Sequence, residues 1–473
     1  MNVFNKHLGL FIDRYELTMA EGYFRDGREN VQANFDYFFR KNPFNSGFTV
    51  FSGLQDLLNM IQEFKFDAST IDHLHKEGFH AEFLEYLKKF HFNGTIDAPD
   101  EGEVIFPNEP ILNVQGSLIE TQLLETIVLN TLNFQSLIAT KANRLRKAAG
   151  NRTLIEFGMR RAQGWAAIHG SRAAIVGGVD STSNELASYL YGLKAVGTMA
   201  HSWIQSYEDE LTSFRKYAEF HPENCVLLVD TYNTLKKGIP NAIIVAKEME
   251  QRGQRLFAIR LDSGDLSYLS KKARNMLDDA GLPYIKIVAS NQLDEYLINS
   301  LILQGAKIDS FGVGTSLITG QKDAALDGVY KLTDINNRPV IKLSENVAKI
   351  TLPGKKKIIR FYNEMGSFYA DGVILSDENE NALDVIVHPQ FDEKKSSVRG
   401  LKREQIGSMV MKASEILLNM KSVSEISEYR EYRVSQLSEE NKRFEFPHVY
   451  KVGLSKKLKK QRDLLIKKNV NEE

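Results

Sequence analysis

Between residues 153 and 314 the chain repeats one rhythm, and that rhythm limits the fold more than any other feature. Short β-type runs succeed one another, each followed by a polar or Gly-rich turn and then a helical stretch. They are TLIEF, AAIVGG, KAVGT, CVLLVD, LFAIRLD, IKIVAS and IDSFGVG. Four of them end at Asp230, Asp262, Ser290 and Gly314, with gaps of 32, 28 and 24 residues. That is the size of a strand plus its crossover helix, the unit that sets successive strands parallel. Units of this kind in series predict a parallel sheet, either closed into a barrel or open and doubly wound. No GxGxxG fingerprint follows an early strand, which favours the barrel.

The flanks have another texture. Residues 31–52 are aromatic and β-rich, 53–91 place apolar residues at helical spacing, and 92–117 alternate short apolar pairs with Gly, Pro, Asp and Asn, as a small antiparallel sheet does. Residues 118–149 carry one or two helices, with Gly150 as C-cap. After about residue 330 strand-like pieces return, and the chain ends in charged helices. The fold class predicted is α/β, with a parallel barrel between about residues 150 and 330 and segments of unlike texture on both sides. The 473-residue length accommodates this at roughly 150 residues per domain.

Charge and cysteine content narrow the function classes. Lys+Arg is 60 and Asp+Glu is 61, a net charge of -1. This excludes a strongly basic nucleic-acid coat protein and an acidic disordered chain. No apolar run is long enough for a secretory signal or a membrane span. The expectation is a cytoplasmic chain with neither nucleic acid nor membrane as partner. The lone Cys225 opens the CVLLVD strand and reads as a buried spectator, unable to form an intramolecular disulfide or a multi-cysteine zinc site. The basic tail reads as a solvated helix, with Leu454, Leu458, Leu464 and Leu465 packed on the body.

In a parallel barrel, ligands gather at the C-terminal strand ends. Those ends carry Glu156-Phe157-Gly158-Met159-Arg160-Arg161, Gly197-Thr198-Met199-Ala200-His201-Ser202, Arg260-Leu261-Asp262-Ser263-Gly264-Asp265, Ser290-Asn291 and Gly312-Val313-Gly314-Thr315-Ser316. Arginine forks and Gly-exposed amides suit phosphate and carboxylate oxygens. Carboxylates suit Mg²⁺ or ribose hydroxyls. The set implies handling of a phosphorylated sugar. Each motif alone is weak: Asp265 is well placed merely to cap the following helix. The information lies in five such ends falling in order. CVLLVDTYNT has the outline of a doubly wound ribose-phosphate loop, but it lacks the paired acids and the Thr-Thr-Gly turn, so it reads as a barrel strand end. A sugar-phosphate aldolase would need a Schiff-base lysine or metal histidines at a strand end, and these run endings supply neither. A basic-tail adaptor would leave all five loaded ends without a purpose.

Eight ordered blocks resemble the nicotinate phosphoribosyltransferase family: DRYELTMAEGYF (13–24), EFGMRRAQG (156–164), DSTSNELA (180–187), GTMAHSWIQSYEDE (197–210), VDTYNTLKKGIPNA (229–242), IRLDSGDL (259–266), VASNQLDE (288–295) and FGVGTSLIT (311–319). The resemblance implies the type II phosphoribosyltransferase fold: an irregular α/β barrel over 151–330 as the catalytic domain, and a second, α+β domain built from 1–150 and 331–473 together. It also implies transfer of a phosphoribosyl group from 5-phosphoribosyl-1-diphosphate to nicotinate, coupled to ATP hydrolysis. ATP and Mg²⁺ are the implied cofactors, with no dedicated protein metal ligand.

By the same resemblance, Phe157 forms one face of a slot for the pyridine ring and Tyr15 of the partner subunit forms the other, in a homodimer with shared sites. Arg260 receives the nicotinate carboxylate, with Thr198 lining the base pocket. Arg160 meets the diphosphate. Asp262 binds ribose or orients Arg260. Ser290, Gly314 and Thr315 form the 5-phosphate cradle. His201 is the residue transiently phosphorylated. Ser183 stands where the sister nicotinamide enzyme carries an aspartate, and a hydroxyl there does not repel a carboxylate. The alternatives are the nicotinamide and quinolinate phosphoribosyltransferases.

Overall fold

A computed structural model describes residues 7–345, 350–391 and 393–470. The chain divides into two compact units. One is Ile138–Ala324 with Ser422–Ser427, and the other is Met1–Leu137, Ala325–Lys421 and Glu428–Glu473. The first division falls inside the helix Glu125–Ala149.

The unit Ile138–Ala324 is built on six parallel strands. Their order is Ser181–Thr182, Thr153–Glu156, Ser310–Val313, Lys286–Ser290, Ala258–Leu261 and Val226–Leu228. The first and last strands in sequence are therefore neighbours. A single parallel bridge from Thr182 to Ala195 extends the far side, so KAVGT contributes one bridge rather than a strand.

AAIVGG is a correction. It belongs to the helix Ala166–Val176 and the turn after it, and the short strand comes later, at Ser181–Thr182. An apolar run buried on several sides has no period that separates helix from strand. Here the preceding Ala-rich residues extend it to helix length. Gly177 then lets the helix end press on Ala139, whose carbonyl oxygen would lie 2.2 Å from an added Cβ.

The crossover helices start on side-chain caps. Asn184, Asp209, Asn233, Asp265 and Asp294 each accept a backbone N–H from the first turn that follows. Such caps satisfy amides that the helix itself cannot. They also sort the polar residues of the loops. Asp265 is committed to Tyr268 N at 3.0 Å, whereas Asp230 and Asp262 cap nothing.

In the other unit, the strand Gln32–Phe39 pairs on one side with Leu112–Ser117 and on the other with Gly328–Ile335, all antiparallel, within a seven-stranded sheet. Both ends of the chain thus enter one sheet. Phe35, Tyr37 and Phe39 are buried there. The helices Leu54–Gln62, Ala68–Lys76 and Ala81–Lys88 add Leu57, Leu58, Leu74 and Phe83 to the same core. A second sheet of six strands, which includes Lys356–Tyr362 and Phe368–Leu375, has its own core around Ile359, Phe361 and Ile374. On the C-terminal helix Lys456–Val470, Leu458 is buried, as is Leu454 just before it. Leu464 is exposed, against the expected packing, because it lies on the lysine-rich face. No helix of the described residues is long and apolar enough to cross a membrane.

Candidate active site

One arginine organises the strand ends of the parallel sheet. Arg260 sits in the strand Ala258–Leu261, with its side chain 15% exposed. Its Nε donates to Ser290 Oγ at 2.9 Å, Nη1 to Thr198 Oγ1 at 2.9 Å and Nη2 to Asp262 Oδ1 at 2.8 Å. A guanidinium has five N–H donors in a planar fork. Three are held here, and one remains on each terminal nitrogen. Two parallel donors are what a carboxylate takes from an arginine. The guanidinium carbon also lies 5.4 Å from the centroid of the Phe157 ring, so the fork and an aromatic face adjoin.

The supports of Arg260 are themselves supported. Thr198 gives its own proton to Met199 O at 3.3 Å, leaving a lone pair for Arg260. Ser290 accepts from Arg260 and donates to Asp262 Oδ1. Its hydroxyl is therefore held between two side chains of the site, whereas the sequence assigns it to a phosphate cradle. Asp262 is fixed through its backbone: its N–H donates to Asp230 Oδ2 at 2.8 Å, and Ser263 Oγ donates to the same oxygen at 2.7 Å. Gly264 closes this turn at φ +77, a conformation that side chains with a Cβ rarely adopt. Asp230 Oδ1 is buried without a partner among the described residues.

His201 is the first residue of the short helix His201–Gln205. Its Nδ1 is 2.9 Å from Thr231 Oγ1, and its Nε2 is 3.9 Å from Asp262 Oδ2. One ring nitrogen is thus engaged by a hydroxyl while the other faces a carboxylate. That is the arrangement that fixes a ring's orientation and tautomer.

Phe157 follows the first strand, and its N–H donates to Val313 O at 2.8 Å. The ring lies over Gly312, where an added Cβ would come within 2.5 Å of Phe157 Cδ2. Gly312 is therefore required by close approach. Gly314 passes beside the Phe157 backbone and precedes the helix Thr315–Ile318. Arg160 is exposed on the turn Met159–Arg161. Ser183 follows the strand Ser181–Thr182, and its N–H donates to Glu156 O at 3.0 Å.

Direct contacts gather Phe157, Thr198, His201, Arg260, Asp262 and Ser290. Arg160, Ser183 and Thr315 lie on adjoining strand ends, and Gly314 runs beside the Phe157 backbone. Tyr15 belongs to the other unit, on the helix Arg14–Arg25, 45% exposed; burial of its hydroxyl and the carboxylates of Glu125 and Glu16 push its phenol up. Sequence reasoning passed over Glu156, Asp230, Thr231 and Gly312 as site residues. All four lie inside the eight motif blocks or the strand-end runs, so adjacency to a motif was the signal available. Among the described residues, no group of three or more His, Cys, Asp or Glu side chains is placed to hold a metal.

Known proteins match this chain over most of its length. Three family models match in order: the nicotinate phosphoribosyltransferase N-terminal domain over residues 10–133, the nicotinate phosphoribosyltransferase family over 153–382 and the C-terminal domain over 355–462. A Bacillus subtilis protein named nicotinate phosphoribosyltransferase is 42% identical, over 98% of this chain and 97% of its own length. A Caenorhabditis elegans protein of the same name is 37% identical, over 95% and 92%. The crystal structure of human nicotinic acid phosphoribosyltransferase superposes with a TM-score of 0.86 at 29% identity, covering 96% of this chain and 99% of that one.

Proposed function

The chain belongs to the nicotinate phosphoribosyltransferase family, and on that premise we propose that it makes nicotinate mononucleotide for NAD salvage. The full reaction is nicotinate, 5-phosphoribosyl-1-diphosphate, ATP and water giving nicotinate mononucleotide, diphosphate, ADP and phosphate. The observation that carries this reading is the Arg260 fork, held on three sides with two donors left beside the Phe157 ring. A flat ring bearing one carboxylate satisfies both features at once.

In the transfer step the pyridine nitrogen attacks C1 of the ribose. The C1–O bond breaks and diphosphate carries away its electron pair. The ribose passes through an oxocarbenium-like state, so catalysis is mostly orientation and charge stabilisation. Phe157 and Arg260 orient the base. Asp262 holds Arg260 in place. Arg160 meets the diphosphate, and Gly314 with Thr315 meets the 5-phosphate. The ring is completed on its other face by Tyr15 of the partner subunit, in a homodimer. The pairing of the unit's first strand with its last supports reading the sheet as an irregular barrel.

ATP enters through His201. A lone pair of the neutral imidazole attacks the γ-phosphorus and ADP leaves; water later takes the phosphoryl group. Thr231 holds the ring for this step. The residues fit Mg²⁺ as an ion arriving with the polyphosphates, which needs only one or two protein carboxylates. Asp262 and Asp230, with its unpartnered Oδ1, would hold it, and it would supply charge neutralisation. The reaction is read as cytoplasmic.

The test is diphosphate release with nicotinate or nicotinamide, each with and without ATP. Release with nicotinate, stimulated by ATP, is expected. Turnover of nicotinamide alone would overturn the reading, and a rate indifferent to ATP would remove the coupling.

A further inference from the structure

The carboxyl of Glu156 has no part in the chemistry above, yet three separate segments converge on it. Glu156 ends the first parallel strand and is fully buried. Oε1 accepts the N–H of Gly158. Oε2 accepts Thr182 Oγ1 at 2.6 Å and Ser171 Oγ at 2.9 Å. These donors come from the turn after the strand, the neighbouring strand and the helix Ala166–Val176. All three are neutral. A buried carboxyl without a countercharge is costly to keep, and burial pushes this one upward from the usual carboxylate range. An apolar residue would fill the space more cheaply, so the polar contacts are what the position supplies.

Two of those contacts lead straight to the proposed base slot. Gly158 follows Phe157, and an added Cβ on it would come within 2.5 Å of Ile318, so the turn is tightly seated. Thr182 precedes Ser183. Thr182 Oγ1 already accepts from Asn184 N at 3.0 Å, so its single proton goes to Glu156. The backbone carbonyl of Glu156 takes the Ser183 N–H as well. The ring on one side and the hydroxyl loop on the other are therefore tied to one residue. We infer that Glu156 is a positioning residue that sets the spacing between the Phe157 ring and the Ser183 loop, and so the fit of the pyridine base. This role rests on the nicotinate reading above.

The test compares the full-length protein with Glu156→Gln, Thr182→Val and Thr182→Ser. Gln must present an amide N–H₂ where Thr182 also donates, and Val removes that donor at similar shape. Both are expected to raise the KM for nicotinate about tenfold while kcat changes less than about threefold, because positioning of the bound base is what is lost. Thr182→Ser keeps the hydroxyl and is expected to restore the parent KM, which a purely space-filling role would not predict. Amide hydrogen exchange over residues 157–162 and 182–184 should quicken in Gln and Val but not in Ser, with the rest of the sheet unchanged. An active parent matched in KM by both variants overturns the positioning role and leaves the activity standing. A parent without nicotinate transfer overturns the activity, and unchanged exchange then overturns the positioning role as well. If Glu156→Gln does not fold, the two Thr182 variants decide.

Discussion

Two arginines at the centres of polar clusters show how burial separates building from recognition. Arg360, in the strand Lys356–Tyr362, is wholly buried. Its Nε and Nη2 bind Asp371, Nη1 binds Glu103 at 2.7 Å, and Nη2 also reaches Val104 O at 2.8 Å. Tyr450 and Tyr429 close the remaining sides of Asp371 and Glu103 at 2.8 Å and 2.7 Å, and Arg433 gives Glu103 a second cation. Every face of that cluster is protein. Arg260 has the same chemistry, with a carboxylate at 2.8 Å and hydroxyl neighbours, but it stands at a strand end with donors left over. The difference lies in what surrounds the fork, and it yields opposite expectations for mutation.

The largest effect expected is at the sealed arginine. Arg360→Ala strands Asp371 in the interior and leaves Glu103 with Arg433 alone as its cation, and breaking a buried pair costs about 3–5 kcal/mol. Insoluble protein, or a thermal midpoint lowered by many degrees, should result. A soluble variant melting with the parent would mean that the cluster contributes little, and the contrast would collapse. The next effect is at the open arginine and falls on catalysis. Arg260→Lys keeps the charge but loses the planar fork, so kcat/KM for nicotinate should fall by roughly 10²–10³-fold. The thermal midpoint should move little. A loss of stability comparable to that of Arg360→Ala would show that Arg260 also builds.

This contrast also marks how far the sequence could be read. The strand-end motifs pointed to Phe157, Thr198, His201, Arg260, Asp262 and Ser290, because strand-end position in a parallel sheet is encoded by spacing. Direction of bonding is not. The resemblance implies a phosphate role for Ser290, and only the structure shows that its hydroxyl also links Arg260 and Asp262. Glu156 and Asp230 look like strand-end acids of no special use until their partners are seen. AAIVGG shows the other limit, since an all-apolar run has no phase to read. Arg360, Glu103 and Arg433 lie more than 250 residues apart at the extremes, and nothing local ties them together.

A smaller effect is expected at the histidine, on coupling and not on transfer. His201→Ala should abolish ATP stimulation and ATPase activity while leaving some uncoupled transfer. Thr231→Val removes only the hydroxyl that holds Nδ1, so ATP stimulation should drop about tenfold. Normal stimulation in His201→Ala would remove His201 from the ATP step. Equal loss of transfer in both variants would place them with Arg260 in base binding.

The smallest effect is on stability and comes from a sealed carboxyl without an arginine. Glu16 is fully buried, accepts only from Thr126 Oγ1 and the Asp13 N–H, and has Oε2 without a partner among the described residues. Burial, with Glu125 nearby, pushes its carboxyl up to about 7. Asp371 and Glu103 are buried as deeply but face guanidinium. The native state of Glu16 therefore holds a proton that the unfolded chain has released by about pH 5. By linkage its contribution is complete below the unfolded value and is lost as pH rises through about 7. Glu16→Gln stays neutral at every pH. The thermal midpoint of the parent relative to that variant should fall from pH 5 to about pH 7 and level off by pH 8. A constant difference across that range would mean that Glu16 is ionised throughout. Burial alone would then not separate it from the carboxylates that the arginines hold.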